Sequence, residues 1–496
     1  MHDGSIRKLV IAGGGTAGWM AAAMFARQFG KTLDIVLVES DEIGTVGVGE
    51  ATIPPLRLFH KYMNVSEPEF LRAVQGTFKL GILFENWRNL GESYFGSFGW
   101  AGRERWAAGF QNHWLRGRLL GLARGYGEYC LETSAALRNR FGISLNTVLN
   151  HAYHIDAGLY GQFLRGIAEE SGVVRHEGRI DQVEQDPANG FITGLRLQSG
   201  QRVMGDLFID CTGFRGLLIG MALNVGFDDY GDCLPCDSAI AVPSAASGPL
   251  HPYTRATAHE AGWQWRIPLQ HRVGNGMVFS SRHWSDDEAR ARLLDNVQGT
   301  VLAEPRLIRF RAGQRRRHWH RNCVALGLAS GFMEPLESTS IHLVQRGITR
   351  LVQMFPDKGI REPAVAEFNA SMQDEIDSIR DFLVFHYHVT GRSDTPFWRQ
   401  CRTMDIPDSL THRIQLFRQT GRIAWNPGEL FGTTFWVQLM LGQGLIPEQH
   451  HPVVNAMSKD ELGKFLADIH RQVEEQVDRL PDHQQFIDGY CKAPPV

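Results

Sequence analysis

The chain has 496 residues, long enough to bury a large core without disulfides or metals as staples. Lys plus Arg (51) nearly balance Asp plus Glu (54), for a formal charge of −3, which argues against a general binder of nucleic acid or anionic membrane. Seven cysteines in such a length are a sparse, odd set that suits a reducing cytoplasm better than a disulfide scaffold.

The first segment, MHDGSIRKLVIAGGG, lacks a signal-peptide layout, because the apolar run after Arg7 and Lys8 breaks at once into glycines. No uncharged apolar stretch approaches the ~20 residues that a membrane helix needs. The expectation is a cytoplasmic protein with no membrane partner. Residues 9–12, a glycine turn, a helix-compatible stretch over 17–29 and a β-branched run over 35–38 predict a βαβ opening.

Gly13, Gly15 and Gly18 form G-x-G-x-x-G within GGGTAGWMAA, directly after the first strand. Glycine at the first two positions lets the backbone turn and approach a pyrophosphate, and the third permits close packing of helix on strand. Thr16 and Ala17 open the helix whose N-terminus would receive that anion. Glu39 ends the second strand about 20 residues past the last glycine, where a carboxylate accepts from a ribose diol.

Two later junctions have the same form. DLFIDCTGFRG, residues 206–216, leads a strand through Asp210 into glycines, and NCVALGLASGFMEPLEST, residues 322–339, leads one through Gly327 to Pro335 and a helix-compatible run. Three such junctions favour FAD over NAD, because FAD presents more surface to cover. Between residues 172 and 210, short apolar runs separated by tight turns predict a mixed sheet after the parallel one. From 351 to 496 the apolar spacing becomes helical, so this third is expected to be mainly helix.

Three further segments stand out. Trp263-Gln264-Trp265-Arg266-Ile267-Pro268 puts two tryptophans at alternate positions, a pattern that by itself marks one face of a buried strand. Gly76-Thr77-Phe78-Lys79-Leu80-Gly81 sets a lysine between apolar neighbours, although a lone lysine is normally solvated. Pro335-Leu336-Glu337-Ser338-Thr339 places a carboxylate near a helix start, a common use of Glu on its own.

Together with the glycine loop and the run Gly44-Thr45-Val46-Gly47-Val48-Gly49-Glu50-Ala51-Thr52-Ile53-Pro54, these segments resemble the flavin-dependent halogenases of the tryptophan halogenase family, over nearly the whole chain. The resemblance implies an α/β fold. Residues 1–350 would form an FAD-binding module, Rossmann-like and of the glutathione-reductase type, with mixed sheets and inserted substrate-lining segments. Residues 351–496 would form a helical C-terminal substrate-binding region. It also implies that a separate flavin reductase supplies FADH2, that oxygen and a halide ion, bromide or chloride, yield hypohalous acid, and that this acid reaches Lys79 before a small aromatic substrate attacks it. Glu337 would act beside that lysine. Thr339 and Ser340 would hold the halide through backbone N–H groups; many relatives have glycine where this chain has Ser340, which bears on halide preference. Trp263, Trp265, Ile267 and Pro268 would separate flavin from substrate, and the run around Ala51 would be a strap over the flavin.

Relatives that act on free tryptophan grip it with an adjacent Tyr-Tyr pair, and this chain has none. The segment Trp425-Asn426-Pro427-Gly428-Glu429-Leu430-Phe431 offers aromatics and an acid in another pattern, so indole or an indole-bearing compound is expected. The rival functions are an FAD-dependent aromatic monooxygenase and a non-catalytic flavin-binding protein. Cys233 and Cys236 form a C-x-x-C with no second pair at metal-ligand spacing. The histidine pairs at 386 and 388 and at 450 and 451 lack a carboxylate pattern, and no metal is assigned. The basic run Arg315-Arg316-Arg317-His318-Trp319-His320 reads as a solvated turn in a chain of balanced charge rather than as a nucleic-acid site.

Overall fold

The computed structural model describes residues 5–43, 49–103, 107–144 and 147–495. Its contacts gather into two compact units, one of Met1–Gly76, Ile155–Gly231 and Arg309–Ile376, the other of Thr77–His154, Asp232–Ile308 and Asp377–Val496.

The first unit is built on a six-stranded sheet. Lys8–Ala12 lies at its middle, parallel to Asp34–Glu39 on one side and to Leu207–Asp210 on the other. Val174–Glu177 and Cys323–Ala325 extend the sheet in parallel, and Trp319–His320 closes one edge antiparallel. Leu9, Val10, Ile11 and Ala12 are all at 0% exposure, as expected of a parallel strand covered on both faces. The helix Thr16–Phe29 makes the crossover between the first two strands. Ile180–Gln185, Ile192–Leu197 and Arg202–Met204 follow as an antiparallel meander, whose Ile192, Leu195, Leu197 and Val203 share a core with Val10 and Phe208. The βαβ opening and the strands separated by tight turns are both present.

The basic run is a solvated bend only in part: Arg316 and Arg317 are exposed between two short strands, and the residues on either side of them turn inward. Gly313–Arg315 is a strand, Arg315 is half-buried and donates to the carbonyls of Ala329 and Val225, and His318 and Trp319 are buried at 1% and 0% exposure. Gly313–Arg315 pairs with Phe227–Asp229 and Gly331–Phe332, and Trp319–His320 pairs with Cys323–Ala325, and composition alone could not reveal these pairings.

In the second unit a sheet runs, neighbour to neighbour, through Ser238–Ser244, Val273–Phe279, Gly262–Pro268, Thr254–His259, Gly81–Glu85 and Ser93–Ser97. These pairings are antiparallel except that Thr254–His259 lies parallel to Gly81–Glu85. The short strand Thr77–Lys79 pairs antiparallel with residues 152–154. The rest is mainly helical: among the described residues no strand follows Phe332, and Lys459–Asp478 starts with a Ser458 and Glu461 capping box. Its Leu462, Leu466 and Ile469 repeat at helical spacing and pack on Phe110, Trp114 and Tyr129. No helix of the described residues is long and apolar enough to cross a membrane.

In the first unit, one buried carboxylate locks the helix Ser340–Gln353 in place. Glu375 accepts from His342 Nε2 at 2.7 Å, Arg346 Nε at 3.0 Å and Arg350 Nη2 at 2.6 Å. Burial works against its ionisation, but His342, Arg350 and Arg346 prevail and hold the carboxyl at about 2, against an ordinary 4.5. In the unfolded chain the carboxyl protonates below its ordinary value while the folded one stays ionised, so the contribution is complete above about pH 4.5 and disappears as pH falls through about 2. Its size is on the order of 3 kcal/mol. Glu375→Gln is expected to lower stability by roughly that amount at neutral pH and to flatten the acid limb of a plot of stability against pH between these values, measured by denaturant unfolding.

Candidate active site

Three residues of the glycine loop do three different jobs. Gly13 sits at φ +104, and a Cβ there would fall 2.3 Å from the Cys211 carbonyl oxygen. A Cβ on Gly18 would fall 1.9 Å from the Gly13 carbonyl oxygen, so the helix can approach the strand only without a side chain. Gly15 precedes the helix Thr16–Phe29 in extended backbone and has nothing within 4 Å of where its Cβ would stand. That open space lies before a helix whose first turn carries no acid, which is what a pyrophosphate requires. Glu39 Oε1 accepts from Arg175 Nε at 2.6 Å, while a Cβ on Gly14 would fall 1.5 Å from Oε2. The carboxylate therefore hangs over the loop, steadied by an arginine that the sequence reading passed over. These residues fit the dinucleotide half of FAD.

The other two junctions belong to the same unit. Asp210 is fully buried, and its carboxylate accepts from Thr212 N and Oγ1 and from Leu218 and Ile219 N. It shapes the turn Gly213–Arg215 and does not offer an acid outward. Gly327, at φ +62, lies against the first helix: a Cβ there would sit 2.9 Å from Ala17 Cβ. Beside these junctions a cavity of about 270 Å³ opens among Phe214, Phe227, Arg311, Arg315, Leu328 and Phe332.

Pro335 starts the turn Pro335–Glu337, Ser338 follows at φ +59, and Thr339 caps the helix Ser340–Gln353. Glu337 and Ser340 are half-buried and Thr339 is at 1% exposure. The Thr339 hydroxyl makes no capping bond and the helix carries no acid in its first turn, so neither competes there with an anion for the leading backbone N–H groups. Of the glycine-rich run at 44–54, residues 44–48 lie outside the described residues. Gly49–Ala51 is a short strand, and burial pushes the Glu50 carboxyl up to about 7, so at neutral pH this acid stands between its two forms.

In the second unit Lys79 ends its strand at 0% exposure, opposite Ala152. Its Nζ lies 5.2 Å from the centre of the Phe98 ring, a residue that nothing in the local sequence singled out. Trp263 and Trp265, at 1% and 7% exposure, share one face of Gly262–Pro268 with Ile267, their ring centres 6.0 Å apart. Trp265 pairs with Gly276, where a Cβ would fall 2.0 Å from the indole. Glu429 is held by Arg413 Nη2 at 2.9 Å through each carboxylate oxygen, and Phe431 stacks on Phe382 with centres 3.8 Å apart. All seven cysteines are free, with Cys236 Sγ 3.6 Å from the Tyr387 hydroxyl. Among the described residues no cluster of three or more His, Cys, Asp or Glu side chains suits a metal ion.

Comparison with known proteins agrees with this anatomy. The sequence model of the tryptophan halogenase family matches residues 8–459. The chain is 35% identical to the tryptophan 6-halogenase ThaL of Streptomyces albogriseolus, over 98% of each chain, and 35% identical to the tryptophan 7-halogenase RebH of Lentzea aerocolonigenes, over 98% of this chain and 99% of that one. Among solved structures it superimposes on a flavin-dependent halogenase from Xanthomonas campestris with a TM-score of 0.98 at 53% identity, covering 99% of this chain and 100% of that one. BrvH, a flavin-dependent halogenase from Brevundimonas sp. BAL3, gives 0.94 at 44% identity, over 99% of each. The mixed α/β fold, the helical C-terminal region and the glycine-loop module thus have their counterparts, and the chain belongs to the tryptophan halogenase family of flavin-dependent halogenases.

Proposed function

We propose that this chain carries out FADH2- and O2-dependent halogenation, bromination or chlorination, of an electron-rich aromatic ring, with indole or an indole-bearing compound as substrate. The observation that carries the reading is Lys79, a lysine at 0% exposure with its amine against the face of Phe98. An amine kept from water can hold an electrophile that solvent would otherwise consume.

Bound as FADH2 from a separate flavin reductase, the flavin supplies the two electrons by which O2, a halide ion and a proton become hypohalous acid and water. Gly13, Gly15, Thr16, Ala17, Gly18 and Glu39 hold its dinucleotide half, with Ala51, the turn shaped by Asp210, Gly327 and Pro335 along the wall. Thr339 and Ser340 hold the halide through backbone N–H groups. Lys79, in its ammonium form, donates a hydrogen bond to the oxygen of hypohalous acid. As the aromatic carbon takes the halogen, the oxygen–halogen bond breaks and the Lys79 proton leaves with the oxygen as water. Glu337 accepts the proton that the ring loses, and its return restores the ammonium. Trp263, Trp265, Ile267 and Pro268 keep substrate and flavin apart, so that halogen and not oxygen reaches the ring.

The groups of the segment around Trp425 that would grip an amino acid are already engaged: Glu429 by Arg413 and Phe431 by Phe382. With no Tyr-Tyr pair in the chain, this supports a substrate recognised by its ring.

Mass spectrometry of indole and tryptophan incubated with the enzyme, a flavin reductase, NADH, FAD and either halide tests the reading. A halogen isotope pattern on indole is expected; a hydroxylated product without halide dependence would establish the monooxygenase. Lys79→Ala is expected to lose halogenation by at least on the order of 100-fold while FAD binding stays intact, and retained halogenation would overturn the lysine's role. Gly15→Val places a side chain in the open space before the helix: FAD Kd is expected to rise on the order of tenfold or more, read by fluorescence titration, with the Tm of the flavin-free chain little changed.

A further inference from the structure

The strand that carries Lys79 is joined to the W-x-W-x-I-P strand by hydrogen bonds whose directions can be worked out. Thr77 and Lys79 stand two residues apart on a strand and so share one face, with Phe78 on the other. Thr77 is in register with His154. Its hydroxyl lies 2.8 Å from the Pro268 carbonyl oxygen and 3.0 Å from His154 Nδ1. A carbonyl only accepts, so the hydroxyl proton goes to Pro268, and the Thr77 oxygen accepts from Nδ1–H of His154. A neutral imidazole with its proton on Nδ1 has a bare Nε2. That nitrogen lies 2.9 Å from Thr254 Oγ1, a hydroxyl able to donate.

Only one tautomer satisfies all three contacts. His154 is at 0% exposure, and burial lowers its pKa well below the usual histidine range, with the charge of Lys79 and then His483 acting in the same sense. The imidazole beside the catalytic amine therefore adds no charge of its own. It acts as a two-ended spacer, since it alone of the side chains here both donates to Thr77 and accepts from Thr254.

We infer that His154, held as the neutral Nδ1–H tautomer, is a positioning residue that locks the Lys79 strand to Pro268 through Thr77 and so sets where Nζ meets the electrophile. This rests on the role proposed for Lys79. The Thr77 hydroxyl is the middle link, and its loss is expected to have the same effect as loss of the imidazole. A reacting group displaced by about 1 Å loses on the order of 100-fold in rate, so the signature is failure to capture hypohalous acid that is still being made.

The test compares the wild-type enzyme with Thr77→Val, which keeps the volume of the side chain, with His154→Phe, and with Lys79→Ala as the control. For each, FAD affinity is measured without turnover, halogenated indole is counted per FADH2 oxidised, and escaping hypohalous acid is trapped with an added thioether. Nitrogen-15 NMR of the flavin-free wild-type chain reports the His154 tautomer independently of activity. The expected result is a bare Nε2 at neutral pH, unchanged FAD affinity, a tenfold or greater fall in product per flavin for Thr77→Val and His154→Phe, and a matching rise in trapped oxidant. If His154→Phe fails to fold, Thr77→Val and the NMR signal decide. An Nε2–H or doubly protonated imidazole overturns the inference, as does a wild-type product ratio in Thr77→Val while Lys79→Ala is inactive. Halogenation retained by Lys79→Ala instead overturns the reading of the lysine itself.

Discussion

A lysine amine taken wholly out of water constrains everything around it. Burying an ammonium costs several kcal/mol unless the surroundings compensate, and a strand of three residues has little of its own to offer. Lys79 meets the face of the Phe98 ring. The opposite face of the strand is anchored by Phe78, which stacks on Phe141 with ring centres 4.0 Å apart and meets Phe486 edge-on. The hydrogen-bonded side of the strand, through Thr77 and His154, supplies direction where the aromatic side supplies adhesion. Burial of the amine and rigidity of the strand are thus one design, because a charge out of water can be tolerated only where its partners cannot drift.

The first unit repeats a simpler device. The helices Thr16–Phe29 and Ser340–Gln353 both begin without an acid in the first turn and without a side-chain cap. Unpaired N–H groups at a helix start attract anions, and the two helices offer this feature for the two anionic groups of the proposed reaction, the flavin pyrophosphate and the halide. The second helix is held by Glu375 bonding to His342, Arg346 and Arg350. The residues that would touch the halide are therefore carried on an element fixed by charge as well as by packing.

What could be read directly from the sequence was local. The glycine loop was legible because each glycine answers a demand made within a few residues or by the adjoining strand: Gly13 by its positive φ, Gly18 by its contact with the Gly13 carbonyl. The alternation of Trp263 and Trp265 was legible because a strand has a period of two. What escaped depends on partners far along the chain. Arg175 reaches Glu39 across 136 positions, and His154 reaches Thr77 across 77 and Thr254 across 100. The grouping of 77–154 and 232–308 with 377–496 likewise follows from long-range strand pairing, such as Gly81–Glu85 with Thr254–His259, and no composition shift marks it. The basic run at 315–320 misled in part: Arg316 and Arg317 are exposed as read, but Arg315 ends a strand paired with 227–229 far from it in the chain, and Trp319–His320 pairs with 323–325.

Whether the Lys79 amine is held away from bulk water can be read by reductive methylation of the native, flavin-free protein followed by peptide mass spectrometry. Lys459, which is exposed, provides the internal standard. Lys79 is expected to be modified at least on the order of 100-fold more slowly than Lys459, because the reagent reaches it only when the strand opens. Comparable rates at the two lysines would contradict the burial of the amine.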